Sequence, residues 1–103
     1  MIARIWKGKT KIDHADQYTQ FMKDRAVPDY EATPGFIKLS FLRREDKGIA
    51  YFDLITYWEN MEVIKNFAGD DVEKAKYYPE DQDYLLDFPE KVTHYEVFVE
   101  LGC

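Results

Sequence analysis

The chain has 103 residues, of which 46% are hydrophobic, 17% aromatic and 33% charged, and its net charge at pH 7 is −6. This length allows one domain with one core, and no apolar run approaches the roughly 18 residues that a membrane span needs. The acidity is concentrated in residues 69–90, with eight acidic and two basic side chains. Because no basic patch exists, neither nucleic acid nor a membrane is expected as a partner.

The first strand is predicted over residues 1–8, with Ala3 and Ile5 on one face and Arg4 and Trp6 on the other. Thr10 is the predicted N-cap of a helix. The apolar stripe of that helix consists of Ile12, Ala15, Tyr18, Met22 and Ala26. Pro28 is expected to end or kink the helix at Val27, with one further turn before residues 33–35.

A second strand is predicted over residues 36–44, with Ile37, Leu39 and Phe41 on its apolar face. A hairpin at residues 45–48 leads into the most β-prone stretch of the chain, residues 48–60. Both faces of that stretch carry large apolar side chains, which is typical of a strand in the middle of a sheet.

Asn60 is the predicted N-cap of a second helix, which Gly69 ends. A short helix is expected through Lys76, followed by an acidic loop rich in tyrosine and by a last strand over residues 92–101. The acidic segment 69–90 fits either a solvated loop or a lid over a cavity.

The order strand, helix, strand, strand, helix, strand predicts a single α+β domain over residues 1–103, a ferredoxin-like βαββαβ sandwich. Right-handed crossovers give an antiparallel sheet of strand order 4-1-3-2 with both helices on one face. Ala3 and Ile5 are expected beneath the helices. The opposite face, with its many aromatic side chains, predicts a homodimer that buries it.

The segments TYWEN, VPDYEATPG, FAGDD, AKYYPED and VTHYEV resemble the antibiotic biosynthesis monooxygenase (ABM) superfamily of dimeric α/β-barrel proteins, and within it a bacterial subgroup. The resemblance covers nearly the whole chain. It implies the dimeric barrel and, for activity, either cofactor-independent oxidation of phenols or haem degradation. The haem-degrading pattern has an Asn on the first strand and a Trp and a His on the second helical segment. Here residues 60–76 contain neither Trp nor His, so haem degradation is not expected.

The candidate catalytic residues are His94 as general base, Asp53 to orient it and Arg4 to hold an anion. The candidate substrate-binding residues, chosen for stacking on a flat ligand, are Trp6, Tyr51, Tyr57, Phe98 and Tyr78. The alternative interpretation makes Arg4, Asp53, His94 and Glu96 an internal ion-pair network.

Two functions are therefore compatible with the sequence. One is a cofactor-independent monooxygenase that acts on a small aromatic or polyketide-like substrate. The other is a non-catalytic binding or accessory dimer that uses the same cavity. No metal site is expected, because Cys103 is the only cysteine and the two histidines are far apart. Because MIARIWKGK is not a signal peptide, a cytoplasmic location is expected.

Overall fold

The computed structural model describes residues 1–102, in which helices cover one face of a four-stranded antiparallel sheet. The strands are β1 (Ile2–Lys11), β2 (Phe36–Asp46), β3 (Ile49–Trp58) and β4 (Thr93–Glu96), in the order β2-β3-β1-β4. This is the predicted order read from the other edge, so the ferredoxin-like α+β class is confirmed. Cys103 lies outside the described residues.

Residues 12–31 form one helical region with a change of pitch in its middle. Its parts are a 3₁₀ turn (Ile12–His14), α1 (Ala15–Phe21), a π-helical turn (Met22–Ala26) and α2 (Val27–Glu31). One prediction here was wrong, because Thr10 lies inside β1 and donates to the Lys11 carbonyl oxygen. Pro28 does not end the helical region. The π-helical turn ends before Val27, and the further turn expected after it is α2, where Pro28 lies in the first turn and a missing N–H costs little.

The hairpin and α3 (Met61–Ala68) follow local sequence signals closely. Lys47 and Gly48 have φ values of 50° and 79°, as in the two-residue type I′ turn that suits antiparallel strands. The Asn60 side chain accepts a hydrogen bond of 3.0 Å from the Val63 amide, and Gly69, with a φ of 84°, ends α3. Both predicted boundaries of this helix are confirmed.

The C-terminal third is less regular than predicted. A helix through Lys76 does not form; the Ala75 amide bonds the Glu90 carbonyl instead, and the 3₁₀ turn of this region is Pro79–Asp83. β4 is shorter than the predicted strand 92–101. Directly after β4, the Val97 amide donates a hydrogen bond of 3.0 Å to the Met1 carbonyl oxygen. In residues 1–102 no helix is both long and apolar enough to cross a membrane.

The register of the sheet decides which side chains lie under the helices. On β3 the buried residues are Ala50, Phe52, Leu54, Thr56 and Trp58. On β1, Trp6 lies opposite Leu54 and Arg4 opposite Thr56, and on β4 His94 lies opposite Arg4. Since directly paired residues point to the same face, all three lie on the helix-covered face.

The predicted faces of β1 and β4 were therefore wrong. The prediction placed the more apolar pair, Ala3 and Ile5, under the helices, whereas the core uses the larger Trp6 side chain from the same strand. The Trp6 ring lies over Gly8, where a Cβ atom would overlap it, so the missing side chain of Gly8 makes room for the indole. On β2 a bulge between Phe36 and Lys38 leaves Ile37 45% exposed, contrary to its predicted place in the core.

Candidate active site

A small cavity lies between the helix-covered face of the sheet and the helices. Its volume is about 30 Å³, enough for one or two water molecules. The sheet contributes Arg4, Trp6 and Leu54, and the rest of the lining comes from the helices, the acidic segment and the residue just before β4. These further residues are Tyr18, Met22, Ala26, Tyr30, Phe67, Lys76, Tyr78, Asp81 and Val92.

Arg4 is the cationic group of this cavity, and it is only 3% exposed. Its Nη1 donates to the Val72 carbonyl and, at 3.0 Å, to Nε2 of His94, while Nη2 donates to the Lys74 carbonyl at 3.0 Å. All three partners are uncharged acceptors. No carboxylate of residues 1–102 lies within the 4.0 Å of an ion pair, and burial lowers the pKa of the guanidinium. An arginine in a protein nevertheless stays protonated, so this charge is buried without a counter-ion.

His94 accepts a hydrogen bond from the Arg4 guanidinium and does not itself line the cavity. Burial, together with the neighbouring Arg4 charge, lowers the pKa of His94, so the ring is neutral at pH 7. Because Nε2 accepts the hydrogen bond from Arg4, the proton of the neutral ring is assigned to Nδ1. The geometry makes His94 a positioning residue for Arg4, and its role as general base stays a prediction.

The acidic segment closes the cavity from the side opposite the sheet. Asp29 of α2 fastens it there, since its Oδ2 accepts hydrogen bonds from the Tyr78 hydroxyl at 2.6 Å and from Lys76 Nζ at 2.9 Å. Trp6 makes a second connection, because its Nε1 donates to the Tyr77 hydroxyl at 3.3 Å. These contacts match the lid alternative of the sequence prediction.

Asp81 is the buried carboxylate of the cavity, with 3% exposure. Its two oxygens accept from the Tyr78 amide at 2.7 Å and from the Tyr18 hydroxyl at 3.3 Å. Burial raises the pKa of Asp81, and these hydrogen bonds oppose the shift. Burial and Asp81 together raise the pKa of the Tyr18 phenol, so this tyrosine is a neutral donor at physiological pH.

The predicted site residues do not all meet. Arg4, Trp6 and Tyr78 line the cavity, and His94 contacts Arg4. Four others lie elsewhere. Tyr51, Asp53 and Tyr57 are on the open face of β3, and Phe98 follows β4 and is 93% exposed. Asp53 cannot orient His94, because the sheet separates them. Of the alternative network only the contact between Arg4 and His94 forms, and within residues 1–102 neither Asp53 nor Glu96 is within ion-pair distance of Arg4.

Several cavity residues were missed by reasoning from the sequence. Tyr18, Met22 and Ala26 carried a signal, because they belong to the predicted apolar stripe of the first helix. The stripe indicated a core contact and not a site. The π-helical turn that contains Met22 and Ala26 is a feature often found at functional sites, but it has no sequence signature. Nothing in the sequence distinguished Asp81 from the other acidic residues of its segment.

No group of three or more His, Cys, Asp or Glu side chains within residues 1–102 is arranged to hold a metal ion. The polar groups of the cavity are a guanidinium, phenols, one ammonium group and one carboxylate. Such a set can bind and orient an organic molecule and stabilise negative charge on it.

Comparison of the sequence with family models and with curated proteins gives no match. Solved structures do match over nearly their whole length. A Bacillus cereus protein assigned as an antibiotic biosynthesis monooxygenase has 16% identity and a TM-score of 0.68, covering 99% of this chain and 97% of that one. The heme degrader MhuD of Mycobacterium tuberculosis, solved with two hemes in its active site, has 19% identity and a TM-score of 0.66, covering 99% and 100%.

SnoaB of Streptomyces nogalater, a cofactor-independent oxygenase, has 13% identity and a TM-score of 0.64, covering 97% of this chain and 95% of that one. At these identities the likeness concerns the fold. The resemblance found in the sequence is confirmed at that level, and the chain has the fold of the antibiotic biosynthesis monooxygenase proteins.

Proposed function

We propose that the protein is a cofactor-independent monooxygenase that oxidises a small aromatic or polyketide-like substrate in the cavity beneath the helices. The observation that carries this proposal is the Arg4 guanidinium, which is buried beside aromatic side chains and has no counter-ion among residues 1–102. A preorganised cation in a water-poor site stabilises negative charge that forms on a bound molecule.

The proposed reaction needs no external reductant. An anthrone-type substrate loses a proton to give a carbanion, which adds to O₂, and the resulting peroxide anion takes a proton back to give a hydroperoxide. The O–O bond then breaks as the second hydrogen leaves the same carbon as a proton. The inner oxygen atom becomes a carbonyl, and the outer one leaves as hydroxide and combines with that proton to give water. Arg4 would hold the anion, while Trp6 and Tyr30 would hold the flat rings.

Substrate entry in this proposal requires movement of the acidic segment. The present cavity of about 30 Å³ is far smaller than the 300 Å³ or more of typical ligand pockets. Lys76 and Tyr78 belong both to the cavity lining and to the hydrogen bonds with Asp29. Opening this fastening would therefore enlarge the cavity directly.

The proposal includes a homodimer formed through the open face of the sheet. That face exposes large apolar side chains, with Leu42 at 49% and Tyr95 at 56% exposure. The chain after β4 adds Phe98 at 93% and Leu101 at 99%. A second copy would cover an apolar surface of this kind through a two-fold interface. The buried set differs from the one predicted, because Arg4, Trp6 and His94 are already covered by the helices.

Oxygen uptake with anthrone- and quinol-type compounds tests the proposal. We expect turnover by the wild-type protein and a loss of about 10²- to 10³-fold in Arg4→Gln, the range seen when one anion-stabilising donor is removed. Arg43→Gln is the matched control, because Arg43 pairs with Asp16 and Glu45 and does not line the cavity. Absence of uptake across the series, or full activity of Arg4→Gln, would count against the oxygenase.

One observation favours the second candidate, a non-catalytic binding dimer. Both Asp81 oxygens and His94 Nε2 already accept hydrogen bonds within the protein. Neither group is a free general base in this conformation. A protein that binds aromatic ligands without consuming oxygen would agree with this second candidate.

A further inference from the structure

We infer that the ligand of this cavity binds as an organic anion, specifically as the carboxylate of a flat aromatic acid. The inference rests on the proposal that the cavity is the ligand site, and it goes further by naming the charge that the ligand carries when it arrives. The geometry of Arg4 provides the argument.

The donors of Arg4 are only partly used. Nη1 has two acceptors and Nη2 has one, whereas a guanidinium carries five N–H groups. Nε–H and the second N–H of Nη2 have no acceptor within residues 1–102. Arg4 therefore keeps donors free for a ligand, and the planar guanidinium matches the geometry of a carboxylate.

The chemistry of burial favours an anionic ligand over a neutral one of the same shape. Water in the cavity can solvate the guanidinium, but an aromatic molecule that enters must displace that water. A neutral occupant leaves the buried charge with uncharged acceptors only, which compensates less of the cost of its desolvation than a counter-ion does. A carboxylate replaces the water with a charge-assisted hydrogen-bonded pair.

The other charged groups of the cavity do not take this role from Arg4. Lys76 Nζ is paired with Asp29 at 2.9 Å. Asp81 is held by Tyr18 and the Tyr78 amide and is not within ion-pair distance of Arg4. The Tyr30 ring also lines the cavity, and its hydroxyl makes no hydrogen bond to another described side chain. It provides a further neutral donor for an anionic oxygen.

The test compares benzoate with benzamide, which have nearly the same shape and differ in charge. Binding is followed in the full chain by two-dimensional ¹⁵N NMR at the indole N–H of Trp6, which lines the cavity. The indole of Trp58, hydrogen-bonded to Thr56 in the core, is the internal reference. We expect benzoate to shift the Trp6 signal saturably and benzamide to bind at least tenfold more weakly. Equal binding of the two compounds, or no saturable shift with benzoate up to about ten millimolar, overturns the inference.

Variants provide a second line of evidence. Arg4→Gln should lose at least tenfold in benzoate affinity, whereas Arg43→Gln should bind like the wild type. If Arg4→Gln does not fold, the comparison of benzoate with benzamide on the wild-type protein decides alone. Binding of benzoate without oxygen uptake from any substrate would refute the oxygenase and leave this inference standing. Oxygen uptake by a protein that binds benzamide as tightly as benzoate would refute this inference and leave the oxygenase standing.

Discussion

The hydrogen bonds of Asp29 should control how often the acidic segment opens. Replacing Asp29 by Asn removes the negative charge that faces both Lys76 and the Tyr78 hydroxyl while keeping the shape of the side chain. The opening free energy of residues 76–81 should fall, whereas the β1–β3 ladder should keep its stability, because it makes no contact with Asp29.

The magnitude follows from the exposure of this cluster. A hydrogen bond to a charged group contributes about 1.5–3 kcal/mol when buried, and an exposed ion pair about 0.2–1 kcal/mol. The Lys76 and Asp29 side chains are 33% and 36% exposed, so the lower ends apply. Because Asn retains one acceptor, we expect a loss of about 1–2 kcal/mol. At about 1.4 kcal/mol per tenfold change, the open population rises about 5- to 30-fold.

Native-state hydrogen exchange measures this population. The Tyr78 amide donates to Asp81 at 2.7 Å, and the Asp81 amide donates to the Tyr78 carbonyl at 3.0 Å. Both amides therefore report on the part of the segment that Asp29 holds. Asp24→Asn is the matched control, because Asp24 lies on the same helical region and bonds only Gln20. If exchange at these two amides is the same in Asp29→Asn and Asp24→Asn, the hydrogen bonds of Asp29 do not hold the segment closed.

Three further outcomes are expected. Since burial and Arg4 lower the pKa of His94, the native state binds fewer protons than the unfolded chain just below the ordinary value of about 6.5. The free energy of unfolding should therefore fall as pH falls from 7 to 5, and urea titrations at both values should show a smaller fall in His94→Gln; an equal fall refutes the assigned shift. Sedimentation should give a dimer of the 12.3 kDa chain that Ile55→Asp, on the open face, converts to monomer; a monomeric wild type at micromolar concentration contradicts the interface. Haem added to the protein should not be converted to an open-chain product, and spectroscopic detection of that product would overturn the prediction.

Local signals in the sequence were reliable where the structure they specify is local. As predicted, Asn60 is the N-cap of α3 and Gly69 ends the helix, and the tight turn with Gly48 lies inside the predicted hairpin. Predictions failed where pairing with a distant part of the chain overrides a local signal. Thr10 is a suitable N-cap by itself, but β1 pairs with β3 as far as Lys11, and this pairing keeps Thr10 extended. In the same way Ala75 bonds Glu90 and leaves the predicted helix unformed.

The candidate site shows the same division more sharply. Alternation along a strand correctly grouped Arg4 with Trp6, and Tyr51 with Asp53, because successive side chains point to opposite faces. Alternation does not say which of the two faces the helices cover. That choice depends on the pairing of Trp6 with Leu54 and of His94 with Arg4, which only the folded sheet specifies.

The sequence by itself thus determined the order of the four strands and the two main helical regions, the strand order, and which side chains of β1 and of β3 share a face. The tertiary structure decided that Arg4, Trp6 and His94 lie under the helices, away from Tyr51 and Asp53, and that Asp81 joins the cavity. The physical reason is that the helices cover the face on which β3 presents Phe52, Leu54 and Trp58. β1 must follow the register of β3, and it therefore buries an arginine that composition alone would have left outside.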